Sequence, residues 1–310
     1  MEIVLYGAGK RGRTCYKFLK SSGYADVIFG FCDKRANEIK KVDDKKVWLP
    51  EELIQGNYIY CLTLADSREK EKIMGELGAE KCICFEDLPD IIHVDRVKFN
   101  RDFCGIIHSD NMSFYFDEAE TSKSLEMFWD QNSVFYHMFQ QLDIRDVIEL
   151  ACGRGRHVSN YEKRAQSITL VDILQENIDF CKKRFNGCNK ISFYKNNGYD
   201  LRDLEANKYS ALFSYDAMVH FELIDILTYM KDIYRVLKGG GRALLHHSNY
   251  HADYKAAFSS TSHGRSFMSK ECFAYLAYRA GFVILDQKII DWGIPELDCI
   301  SLIEKPEIKC

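Results

Sequence analysis

Two glycine-rich turns, with a few carboxylates and histidines around them, are where this chain can do chemistry. The hexapeptide Gly7-Ala8-Gly9-Lys10-Arg11-Gly12 follows the apolar run EIVLY directly and leads into the helical stretch TCYKFLKSSG. A glycine turn between strand and helix lets backbone N–H groups approach a ligand at the positive end of the helix. A second apolar run, VIFGFC, ends at Asp33, about 20 residues after the glycines, where a carboxylate can accept hydrogen bonds from ribose hydroxyls. Gly7, Gly9, Gly12 and Asp33 are therefore candidates for a nucleotide site. The plainer alternative is that the glycines only permit a tight turn.

The second group is richer. The run Asp146-Val147-Ile148-Glu149-Leu150 ends in Ala151-Cys152-Gly153-Arg154-Gly155-Arg156. Downstream, SITLVDI delivers Asp172 and Ile173, ISFYKNN delivers Asn197, and YSALFSY delivers Asp216. A carboxylate at Asp172 can take two hydroxyls at once. His220 follows Asp216 by four residues, so both can face one point from a loop or helix start. His246 and His247 end a further strand, where period-2 alternation sends them to opposite faces; one faces the cleft and its neighbour packs under a helix. A histidine titrating near about 6.5 suits the removal of a hydroxyl proton. Asp216, His220 and His247 are the candidate catalytic set. No clustering of carboxylates and histidines at ligand spacing suggests zinc or magnesium.

These residues need strand ends to hold them. Strands alternating with helices at this spacing predict a parallel, doubly wound sheet, with ligands over the carboxyl ends of its strands. Helices are expected over 174–185 and 222–237. The helix ECFAYLAYRAG and the runs FVILDQKII and DCISLIEK then complete a seven-stranded sheet with an antiparallel edge. Upstream, the runs at 2–6, 27–32, 57–65 and 81–85 form a smaller β-α-β alternation. Between the two blocks lies an aromatic-rich stretch with Phe114, Tyr115, Phe116, Phe128, Trp129, Phe135 and Tyr136. Residues 251–268 are polar and interrupt the alternation, which is where a substrate loop or a plain surface loop would be placed.

Size and composition agree with this division. The 310 residues are about twice an ordinary domain. With 46% hydrophobic residues the chain can bury a core, and 42 basic against 46 acidic residues leave a net charge of −4. That balance disfavours nucleic acid as a partner. The 12 cysteines are scattered without a Cys-x-x-Cys pair, several inside apolar runs, which reads as reduced thiols in a cytoplasmic protein. No signal peptide or membrane-spanning run of about 20 apolar residues is visible.

ELACGRGRH, LVDI, NNG, LFSYDAMVHFE and YRVLKGGGRALLHHSNY occur in the order and spacing of class I S-adenosylmethionine-dependent methyltransferases, which residues 145–250 resemble. The resemblance implies a Rossmann-like seven-stranded domain over 91–310 that binds S-adenosylmethionine. It assigns Glu149, Ala151, Gly153, Gly155, Asp172, Ile173, Asn197 and Asp216 to the cofactor, with Ala151 standing where glycine is commoner. Residues 1–90, through YGAGKRGR, FCDK, WLPEELI and EKIMGELGAEKCICF, resemble the abbreviated Rossmann-like domains of surface-polysaccharide sugar-modifying enzymes. That likeness implies a sugar acceptor, either nucleotide-linked or another surface-glycan precursor, and O-methylation. Two alternatives remain open. One is an NAD-dependent sugar-nucleotide oxidoreductase using the first turn. The other is a non-catalytic partner subunit that binds the same cofactor. The oligomeric state is not legible.

Overall fold

The structure is a computed structural model that describes residues 2–53, 56–64, 66–111, 128–256, 258 and 261–307. Phe114, Tyr115 and Phe116, and part of the 251–268 segment, lie outside the described residues. The chain divides into two compact units, Met1–Asn111 and Met112–Cys310.

Unit 1 is built from β1 (Glu2–Tyr6), α1 (Lys10–Ser21), β2 (Ile28–Cys32), β3 (Lys41–Val42), β4 (Lys45–Trp48), β5 (Tyr58–Leu62), α2 (Ser67–Leu77), β6 (Cys82–Cys84) and α3 (Arg96–Asn111). Its sheet runs β3-β4-β2-β1-β5-β6, parallel throughout except for the short β3–β4 hairpin. The four anticipated runs form β1, β2, β5 and β6. The sheet is larger than those four, because β4 pairs with β2 through just Phe31↔Val47 and Cys32↔Trp48, and it and β3 are too short to show a period. Unit 1 also runs past residue 90. Phe99 and Phe103 of α3 pack against Phe18 of α1 with ring centroids 4.9 and 5.5 Å apart. Helix ends follow local chemistry: Asp66 accepts from the Glu69 N–H at the start of α2, and Gly78 ends it at φ 94°.

Unit 2 contains α4 (Val134–Phe139), β7 (Asp146–Leu150), β8 (Ser167–Asp172), α5 (Gln175–Arg184), β9 (Ile191–Lys195), β10 (Tyr209–Ser214), α6 (Leu223–Val236), β11 (Leu237–Ser248), α7 (Lys270–Arg279), β12 (Val283–Ile290) and β13 (Asp298–Glu304). The seven strands are ordered β12-β13-β11-β10-β7-β8-β9. Strand order reverses between β7 and β10, which creates the crevice where ligands bind in such sheets. One cluster of buried side chains lies on each face, with Val147, Leu170 and Phe213 on one and Ile148, Val171 and Leu212 on the other. The last two strands do complete the sheet with antiparallel pairing at its edge: β13 is inserted between β11 and β12 and runs antiparallel to both.

The turn of unit 1 offers a direct test of close packing. A Cβ on Gly12 would lie 1.8 Å from the Gly7 carbonyl oxygen and 2.9 Å from Thr63 Oγ1, whereas one on Gly75 meets nothing within 4 Å. Gly12→Ala should therefore destabilise unit 1 by about 2 kcal/mol or more. Gly75→Ala, in the interior of α2, should stabilise it by about 0.5–1 kcal/mol. Urea unfolding of the full chain with each substitution reads both signs.

Candidate active site

The site is built at the carboxyl ends of β7, β8, β10 and β11. After β7 the chain turns through three left-handed residues, Ala151 (φ 58°), Gly153 (φ 55°) and Gly155 (φ 72°). Ala151 holds a conformation that an L residue adopts at a cost of about 1–2 kcal/mol, at the position where glycine is the usual choice. Gly155 is required for packing, since a Cβ there would meet the Phe185 ring at 2.6 Å. The turn is stitched to its surroundings on every side. Cys152 N–H donates to the Val171 carbonyl (2.9 Å), Gly153 N–H to Asp172 Oδ2 (2.9 Å), and Arg184 to the Arg154 carbonyl (3.0 Å).

Asp172, at the end of β8, is buried and also accepts from Leu174 N–H (2.9 Å) and Asn177 Nδ2 (3.1 Å) on Oδ1. Burial raises its pKa even against these donors. The Ile173 N–H acts on the same carboxylate, lowering its pKa with the other donors. Ile173 follows between Asp172 and Leu174. Glu149 lies beneath the turn, 2% exposed, with Tyr161 donating to its Oε2 at 2.7 Å. Its Oε1 is buried without a partner, and burial pushes its pKa up to about 7.

Asn197 is only partly where it was expected. Its Oδ1 accepts from Tyr199 and Asp200 N–H (3.1 and 3.0 Å), so its carbonyl closes the turn after β9. Its side chain also hydrogen-bonds the Asp200 carboxylate and lowers that group's pKa.

Past β10, Asp216 sits at φ 56° with its carboxylate 3.2 Å from Arg156. A 3₁₀ turn, Met218–His220, follows. His220 Nδ1 lies 2.7 Å from the Gly264 carbonyl oxygen, and Ser266 Oγ donates to the His220 carbonyl at 2.9 Å. A carbonyl can only accept, so Nδ1 carries the proton and the basic lone pair of neutral His220 is on Nε2.

His247 does not belong with this set. It is fully buried and stacked on Phe273 of α7, 3.8 Å between centroids and 6° between planes, with Nε2 on Ser301 Oγ and Nδ1 on the Ser248 carbonyl. Burial lowers its pKa to about 3. The alternation of adjacent histidines holds, but the phase is the reverse of the one assigned. His246 is the histidine on the side of the Asp216 loop: its Nδ1 accepts from Asp216 N–H at 3.1 Å, and its Nε2 lies 3.0 Å from Asp298 Oδ2. Asp298 is in turn gripped by the buried guanidinium of Arg265, through Nε at 2.8 Å and through Nη2. Arg265 and Ser266 are buried, so this part of the 251–268 segment is packed structure. Nothing in the sequence singled out Arg265 or Asp298.

In unit 1, Gly7 (φ 106°), Gly9 at the N-terminus of α1, Gly12 and Asp33 do come together. Asp33 Oδ2 accepts from Ala8 N–H at 2.8 Å, and Arg35 donates to the same carboxylate from its backbone N–H (2.8 Å) and its guanidinium (3.1 Å). Burial works against ionisation here, but these donors outweigh it and hold the Asp33 pKa below the usual value. A ribose on Asp33 would have to displace Arg35.

Residues 147–241 match the family model described as a methyltransferase domain. Unit 2 carries a class I, S-adenosylmethionine-dependent methyltransferase domain. The seven-stranded sheet is its Rossmann-like fold, and the cofactor is S-adenosylmethionine. The search of curated proteins returned no match. Among solved structures the chain is similar to a putative methyltransferase in complex with the Haloferax volcanii Trm112 activator, at 16% identity over 62% of this chain and 98% of that one, TM-score 0.46. It is likewise similar to a putative S-adenosylmethionine-dependent methyltransferase from Listeria monocytogenes (14%, 56% and 98%, 0.46). A third is geranyl diphosphate C-methyltransferase from Streptomyces coelicolor (14%, 58% and 87%, 0.45).

The left-handed turn after β7 brings the backbone of Gly153 and Gly155 beside the Asp172 carboxylate. Among the described residues no three His, Cys, Asp or Glu side chains are grouped to hold a metal ion, and no helix is long and apolar enough to cross a membrane. Glu149 sets a pH dependence. Its folded pKa near 7 stands above the ordinary 4.5, so stability is lost as pH rises through that interval. Glu149→Gln keeps an acceptor for Tyr161. It should stabilise the methyltransferase domain by about 2–3 kcal/mol at pH 8 and by little at pH 5, read from urea unfolding at the two pH values.

Proposed function

We propose that this protein transfers the methyl group of S-adenosylmethionine to a hydroxyl oxygen of a sugar, the acceptor being a nucleotide-linked sugar or another precursor of a surface glycan. The observation that carries the hydroxyl assignment is the His220 Nδ1–Gly264 carbonyl contact, which fixes a tautomer with a basic Nε2 on the turn after Asp216. The sugar class is supported by the resemblance of unit 1 to domains of sugar-modifying enzymes.

The cofactor supplies a methyl already activated on a sulfonium, so the protein has mainly to align nucleophile and carbon. Gly153 and Gly155 let the backbone come close to the methionine portion. Asp172 accepts the ribose hydroxyls, Ile173 covers the adenine, and the Asn197 amide donates to its edge. Glu149 supports the turn from below through Tyr161. Asp216, oriented by Arg156 and by the His246–Asp298 pair, lies where the cofactor and the acceptor meet. His220 takes the hydroxyl proton on Nε2 as the methyl arrives. In unit 1 the glycine turn, with Arg35 beside it, binds phosphate of the nucleotide-linked acceptor. Occupation of Asp33 by Ala8 and Arg35 disfavours the nicotinamide alternative, whose ribose needs that carboxylate.

Three measurements test this reading. With labelled cofactor and a panel of nucleotide sugars, mass spectrometry should find a methylated product. His220→Ala should lower turnover about 10²- to 10⁴-fold with little change in cofactor affinity, while His247→Ala should reduce stability and leave the turnover of folded enzyme near wild type. Calorimetry should show Asp172→Ala weakening S-adenosylmethionine binding by about 1.5–3 kcal/mol. Full activity in His220→Ala would leave alignment alone as the source of rate.

A further inference from the structure

The last strand of the unit 2 sheet is a long edge with an unusual outward face. β12 spans eight residues and pairs with β13 on one side only. Edge strands of soluble proteins are ordinarily short, bulged away or guarded by charge, because their open N–H and C=O groups invite another strand. β12 has a register shift at Leu285, between Ile284 and Asp286, and carries Asp286 and Lys288, yet it also exposes Val283 (49%), Leu285 (39%) and Ile289 (41%). On the neighbouring helix α7, joined to β12 through the Gln287 Nε2–Lys270 carbonyl contact at 3.3 Å, Tyr275 and Tyr278 are 62% and 72% exposed. Nearly half of the large exposed apolar side chains among the described residues thus sit on two adjacent elements. A patch of that kind marks an interaction surface.

The order of residues along the strand says which partner fits. The sequence Asp286-Gln287-Lys288 places one acid and one base either side of Gln287, with apolar residues beyond each. Asp286 and Lys288 share one face of the sheet, 3.2 Å apart. In an antiparallel pair, residues directly opposite each other lie on the same face. With a two-fold axis at Gln287, Asp286 of one copy meets Lys288 of the other, and Lys288 meets Asp286. The four charges alternate in sign around the axis. Two-fold self-pairing is the commonest route to a homodimer, and it requires a patch that is its own complement.

We propose that β12 joins its counterpart in a second copy of this chain, antiparallel about Gln287, so that two seven-stranded sheets become one. The pairing is independent of the acceptor and of the catalytic reading. It leaves the crevice at β7 and β10 alone, since β12 is separated from them by β13 and β11.

Sedimentation velocity of the full chain over a micromolar concentration series tests it. Wild type should sediment as a dimer. Asp286→Lys and Lys288→Asp each place like charges opposite one another twice, and each should weaken the dimer about tenfold or more. The double variant Asp286→Lys/Lys288→Asp restores opposite signs across the axis and should bring association back to within about threefold of wild type. Circular dichroism checks that each variant is folded, which is expected for exposed positions. A wild type that stays monomeric at about 100 μM, within the range of weak complexes, overturns the proposal. So does a double variant that associates no better than the single ones, because a dimer formed elsewhere would not respond to the swap.

Discussion

A carboxylate with no access to water anchors the active site. Asp298 is wholly buried at the start of β13, and an isolated charge there would be too costly to keep. It is met by the Arg265 guanidinium and by His246 Nε2, and together they hold its pKa below the ordinary value against the opposing effect of burial. Each partner brings a different segment with it. Arg265 fixes the stretch whose Gly264 carbonyl takes the His220 proton, and His246 passes the constraint on to the Asp216 backbone. Removing one member would leave another charged or polar group buried alone, which is the expensive outcome for such pairs. Positions at three strand ends, and in the loop that carries Arg265, are therefore set by one requirement.

The methyltransferase turn works by a comparable compromise on the other side of the crevice. Asp172 neutralises part of its own burial by accepting from Gly153, Leu174 and Asn177, and in doing so fixes the turn in the form a ligand would meet. The same turn tolerates a left-handed alanine and an unpartnered Glu149 oxygen. Such strain survives where surrounding contacts over-determine the backbone, as is common at functional sites.

How much of this could be read from the sequence depended on range. β7, β8 and β10 are apolar runs stopped by glycine or aspartate, and those stops carry Ala151, Asp172 and Asp216 to the crevice, so strand ends and site residues were visible together. Alternation showed that His246 and His247 face opposite ways. It could not give the phase, which depends on β13 presenting Asp298 to one and Ser301 to the other from 52 and 54 residues away. Arg265 was invisible for the same reason, since its polar neighbours read as loop. The place of β13 between β11 and β12 was hidden because an apolar run records that a strand exists and not which strands flank it.

That insertion has a bearing on how the protein comes to be made. A chain emerging from the ribosome folds from its amino-terminal side first, and here β12 emerges before the strand that must separate it from β11. Until residues 298–304 follow, β11 has an open flank and β12 has no neighbour within the sheet. Contacts this distant along the chain form slowly. Asp298 heads the same strand, so the charge that organises the crevice arrives together with the strand that closes the sheet. During synthesis, then, the domain gains its catalytic geometry in the same step that completes its sheet, and shorter nascent chains lack both.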